Sequence, residues 1–189
     1  MKKKWSQFTK DLSELPVWGI ILIAAFAAAL SVAEFIMAGL PAALIATLIN
    51  ITLSVMIITD ASEGKIYNSS NIVFAVFAVI SAFMIRMPIL ERLISFGLVL
   101  VFFILVNTVS HVPLSQMGGG GDLKLLMVAG FLLGQEITYA AGLGCLAAVI
   151  KILIDKLFKG KTLDPKEKIR MAPFFCPAIA LVFFHVLIR

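Results

Sequence analysis

From residue 16 to residue 37 the chain runs through 22 positions with Glu34 as its only charge. A helix of that length spans the roughly 30 Å hydrocarbon core of a bilayer, at about 1.5 Å of rise per residue. The pattern recurs. Further apolar segments cover about 42–59, 70–85, 89–110 and 123–134, then a stretch ending near Phe158, and finally 173–188. Short breaks separate them, such as Gly39-Leu40-Pro41 and Arg86-Met87-Pro88. The chain is 61% hydrophobic and 14% charged, against about 45–50% apolar and about a quarter charged in soluble domains. These features predict an all-α, polytopic transmembrane bundle of six or seven spans, with no room for a soluble domain. Residues 1–15 are a polar, basic N-terminus, and 16–189 form a single membrane-embedded domain.

Two local points bear on that topology. The lysine-rich start, the apolar run and Ser31-Val32-Ala33 together resemble a secretory signal. The polar region is long and carries Asp11 and Glu14, so an uncleaved first span is the expectation. Between 122 and 145 the span number hangs on whether the chain turns at Gln135, Glu136 and Thr138 or at Gly142 and Gly144. Ser69 or Ser70 is placed to cap the third span.

The net charge of +5 does not indicate a nucleic-acid surface, because the basic residues lie in the breaks between apolar segments. With the N-terminus inside, 13 of the 16 basic residues fall on the cytoplasmic side, and Arg86, Arg92 and Arg189 fall outside. That bias follows the positive-inside rule and places Asp60 and Asp122 at the same, cytoplasmic, face. The basic stretch 156–170 is expected to contact anionic lipid.

Gly118-Gly119-Gly120-Gly121-Asp122-Leu123-Lys124 is the least membrane-like stretch between two apolar segments. An aspartate at a helix centre costs roughly 2.5–3.5 kcal/mol on insertion scales. Irregular backbone and ionisable groups at such depth are tolerated where they line a wet cavity or an active site. Two carboxylates at one face, each at a helix end, suit a dyad in which like charges cannot both ionise. One then serves as general base for water and the other as general acid. Taken singly, each reads first as a solvated helix-end carboxylate, Asp122 through the helix macrodipole. Only their pairing at one face brings the catalytic reading level with it.

Cys145 and Cys176 lie in apolar segments outside any CxxC pair and read as packing residues. His111 and His185 fall near opposite faces, so neither a metal site nor a cofactor is expected. Glu34 and Asn50 lie within the first two spans, where they can meet across the helix interface. Glu136 and Arg86 read as external loop charges.

Gly119-Gly120-Gly121-Asp122 fits the GxGD signature of intramembrane aspartyl proteases, and with Lys124 it resembles the GxGDxK of type IV prepilin peptidases. Asp60 followed by Ile66 and Asn68 is similar to that family's aspartate before Ile-Pro-Asn. Ala172-Pro173-Phe174-Phe175-Cys176-Pro177 looks like its Pro-Phe-Gly-Pro segment. Tyr67 stands in place of the proline and Cys176 in place of the glycine. No cysteine-rich insert separates the first span from Asp60, so the chain resembles the compact form that lacks the methyltransferase region. The resemblance implies catalysis by Asp60 and Asp122, supported by Gly119, Gly121, Lys124, Asn68 and Lys65. Lys124 and Lys65 would meet lipid phosphate or the substrate leader, and Asn68 loop backbone, substrate or a helix cap. The implied substrate is a prepilin or pseudopilin whose short basic leader is removed at the cytoplasmic boundary of the cell membrane. Two other functions fit the same carboxylates: a small proton- or cation-coupled carrier, and an inactive peptidase-like assembly scaffold. The specific pilin-like substrate and the oligomeric state are not encoded in any of these features.

Overall fold

A computed structural model describes residues 17–84, 87–110, 120–159 and 170–189. Among them are seven α-helices and no strand. They are α1 (Val17–Ala38), α2 (Leu40–Glu63), α3 (Asn68–Ala82), α4 (Ile89–Ser110), α5 (Gly120–Leu133), α6 (Ile137–Lys159) and α7 (Ala172–Ile188). A 3₁₀ turn, Gly134–Glu136, joins α5 to α6. The basic segment 1–15, Arg86, His111, Gly118 and Gly119 lie outside the described residues.

The turn after α5 forms at Gly134, whose φ of +59° is left-handed. Gly142 and Gly144 both continue inside α6. Gly144 serves packing instead, because a Cβ there would lie 2.4 Å from Phe175 Cδ1 on α7. The 122–145 region is therefore two helices rather than one span. At the next break, Tyr67 rather than Ser69 or Ser70 occupies the cap position of α3, and no side chain caps it.

Helix α7 packs against α6, α2 and α1, while α5 packs against α4 and α3. Ile49, Leu53 and Met56 of α2, Phe74 of α3, Leu125 and Leu132 of α5, and Ile179 and Phe183 of α7 share one buried core. The outer surface is equally apolar: Leu22 is 70% exposed, Ile36 74% and Leu157 75%. Such a surface is stable only against lipid. The stretches Gly19–Ala38, Leu40–Glu63 and Gly120–Ile154 are each long and apolar enough to cross a bilayer. The molecule is an all-α, multi-pass membrane bundle.

Polar contacts fix the order of its two ends. Arg189, at the end of α7, pairs with Glu136 in the 3₁₀ turn at 3.2 Å. Arg92, counted from the sequence among the basic residues on the outer side, is fully buried near the start of α4. Its guanidinium donates to the Phe131 and Leu132 carbonyls at the C-terminus of α5, both at 3.1 Å. Those carbonyls have no partner within their own helix, and a guanidinium satisfies them while meeting the negative end of the helix dipole. Glu91 beside it accepts from the Gln135 N–H at 3.3 Å. Within the bundle, the Asn50 amide nitrogen donates to both Glu34 oxygens at 3.2 and 3.1 Å, so that pair does meet between α1 and α2.

Candidate active site

At the end opposite Arg189, a cleft of about 560 Å³ is lined by residues 60–68 (apart from Ala61 and Ser62), Gly120, Gly121, Asp122 and Arg170. Asp60 lies in the last turn of α2, which continues to Glu63 instead of ending at the aspartate. Gly64 closes the helix at φ +66°, and its N–H donates to the Asp60 carbonyl at 2.9 Å. Glycine adopts this left-handed conformation without the steric cost borne by other residues. The Asp60 side chain is buried, and its Oδ2 accepts the backbone N–H of Ala172 at 3.1 Å. Ala172 is the first residue of α7, so the carboxylate meets one of that helix's otherwise unpaired N-terminal amides.

Asp122 lies in the first turn of α5 and is half-buried. Gly121 sets how close its helix comes to the 64–67 loop. A Cβ on Gly121 would stand 2.8 Å from Ile66 Cβ and 3.1 Å from the Ile66 carbonyl oxygen. Among the described residues, Gly120 has nothing within 4 Å of a built Cβ. Only the second of these glycines is thus required by close approach; Gly119 lies outside the described residues. Ile66 packs against the core, which anchors the loop on its other side.

Lys124 is exposed and is not among the residues that line the cleft. Its Nζ donates to Asn68 Oδ1 at 2.7 Å, tying the first turns of α5 to the start of α3. This contact also replaces the capping role considered for Asn68. Lys65 is exposed on the cleft wall. Sequence reasoning left out three wall residues. Glu63 accepts a hydrogen bond from the Tyr67 hydroxyl, and Arg170 faces them from the segment before α7. No helical spacing signalled the Glu63–Tyr67 pair, because Gly64 ends α2 between them.

Of the two cysteines, Cys145 is exposed on α6 and Cys176 is buried on α7. Cys176 packs in the core as expected, one helical turn beyond Ala172 on α7. Asp60 and Asp122 both line the one cleft, although 62 positions separate them in sequence. Among the described residues no three His, Cys, Asp or Glu side chains are grouped to hold a metal ion.

Fold and cleft together define a multi-pass membrane protein with a carboxylate-lined site at one end of its helices. A model of the type IV leader peptidase family matches residues 47–154, more than half of the chain, and the protein belongs to that family. It is a peptidase, and its family ties it to pilus and secretion systems. No curated protein and no solved structure matches the chain.

Proposed function

We propose that this peptidase is an aspartyl endopeptidase that uses Asp60 and Asp122 as a pair. Its substrate is a prepilin or pseudopilin, cut between the short basic leader and the apolar helix at the cytoplasmic boundary. The observation that carries the reading is the convergence of the two aspartates on one cleft, one from the end of α2 and one from the start of α5. The family match and the basic side chains at this end of the bundle, Lys65, Lys124 and Arg170, support it.

In this reading the ionised member of the pair removes a proton from water as the water oxygen attacks the scissile carbonyl carbon. The protonated member gives its proton to the carbonyl oxygen. When the tetrahedral species collapses, the C–N bond breaks and the amine leaves with a proton from the pair. The titration belongs to both carboxylates jointly. Gly121, by admitting Ile66, and the Lys124–Asn68 hydrogen bond hold the two helix ends in register. A carrier would place its carboxylates near the bilayer midplane at broken helices; here they occupy a last and a first helical turn.

The test is cleavage of a pilin-like precursor in membranes that hold wild type, Asp60→Asn or Asp122→Asn. Wild type is expected to trim the leader, and each variant to accumulate without cutting. Cleavage by either variant at the wild-type rate refutes the paired mechanism.

A further inference from the structure

A second cleft, of about 250 Å³, opens between α1, α2 and α7. Leu22 and Phe26 of α1, Ile57 of α2, and Cys176 and Pro177 of α7 give it an apolar wall. Two polar residues, Asn50 and Ser54, share that wall. The Ser54 hydroxyl is satisfied by the Asn50 backbone carbonyl at 2.8 Å. Asn50 is different. It is 3% exposed, its nitrogen is held by Glu34, and its Oδ1 is buried with no donor among the described residues. A buried carbonyl oxygen left in this way is costly and marks a place where a donor belongs.

Cys176 connects this cleft to the site above. It forms part of the cleft wall and lies one helical turn beyond Ala172, whose N–H meets Asp60. Asn50 precedes Asp60 by ten positions on the same helix, about 15 Å along its axis. The cleft therefore reaches from the level of the carboxylates toward mid-bundle. An extended peptide covers that depth in about five residues.

We infer that this cleft receives the apolar residues that follow the scissile bond of the substrate, with Asn50 Oδ1 accepting one of their backbone N–H groups. The inference rests on the peptidase reading. A bond inside a membrane helix reaches a cleaving group only if the helix locally unwinds, and unwinding frees N–H groups that lipid cannot satisfy. A lipid acyl chain could fill the apolar volume but brings no donor for Asn50. The volume admits about one or two large side chains, far less than a whole helix.

The test places photoreactive p-benzoylphenylalanine at Phe26 in full-length protein carrying Asp122→Asn, reconstituted in liposomes. The probe peptide is a synthetic precursor with a basic leader and an apolar helix. Illumination is expected to attach the peptide at Phe26, while the same probe at Leu153, exposed on α6 and away from the cleft, attaches lipid. Lipid adducts alone at Phe26 under saturating peptide overturn the inference. Ala27 also stands on the cleft wall. In otherwise wild-type protein, Ala27→Trp fills the cleft and is expected to raise KM about tenfold with kcat unchanged. An unchanged KM overturns it as well. Cleavage by wild type without capture at Phe26 removes the cleft and leaves the peptidase. Capture without cleavage by wild type removes the peptidase and leaves the cleft.

Discussion

The backbone N–H of Ala172 donates to Asp60 Oδ2 at 3.1 Å, joining residues 112 positions apart. The last turn of α2 is thereby fastened to the first turn of α7, and the fastening group is one of the two proposed catalytic carboxylates. A structural role and a proposed chemical one coincide in one side chain.

Different substitutions at Asp60 should separate those roles. Asn keeps an oxygen that accepts from Ala172, so Asp60→Asn is expected to unfold in detergent near the wild-type temperature while losing cleavage. Ala removes the acceptor, and Asp60→Ala is expected to lose about 1–2 kcal/mol of stability in addition. Thermal unfolding in parallel with a cleavage assay reads both. Equal stability of the two variants would show that the Ala172 contact contributes nothing.

At the glycine run, Gly121→Ala is expected to lower the cleavage rate by about ten- to a hundredfold through misplacement of Asp122. Gly120→Ala, which meets nothing within 4 Å among the described residues, should leave it unchanged. Ile66→Ala should not rescue Gly121→Ala, because Ile66 Cβ itself is the clashing atom at 2.8 Å. Initial rates for the four variants decide the point.

Lys124 and Asn68 should act as a unit. If their 2.7 Å hydrogen bond is what each contributes, Lys124→Met and Asn68→Ala will each slow cleavage a few-fold, and the double variant no further than the worse single. Additive losses would mean that the two residues work separately, as in contacting a substrate leader.

Arg92 lies at the other end of the bundle and should matter for folding alone. Arg92→Met leaves the Phe131 and Leu132 carbonyls without their donor, at a cost of about 2–3 kcal/mol. Thermal unfolding should fall accordingly, while cleavage per folded molecule stays at the wild-type value.

Much of the fold is legible in the sequence because a bilayer leaves the backbone few choices. Apolar length sets each helix, and α4 falls at Ile89–Ser110 as the apolar segment predicts. The two aspartates were legible for the same reason, since an ionised group beside a span needs an explanation, and so was the proximity of Glu34 and Asn50. Helix ends were less so. Whether α2 stops at Asp60 or at Glu63 depends on the left-handed Gly64 and on the amide of Ala172, neither of which leaves a hydropathy signal.

What the sequence by itself determined was the class: a membrane-spanning helical bundle with two acids at one face. Which groups surround those acids was decided only by packing between helices distant in the chain. Lys124 reaches Asn68, Gly121 admits Ile66, and the amide of Ala172 meets Asp60. Hydropathy is a sum over neighbours in sequence, whereas a hydrogen bond or a 2.8 Å approach depends on distance in space, and only the assembled bundle sets that distance.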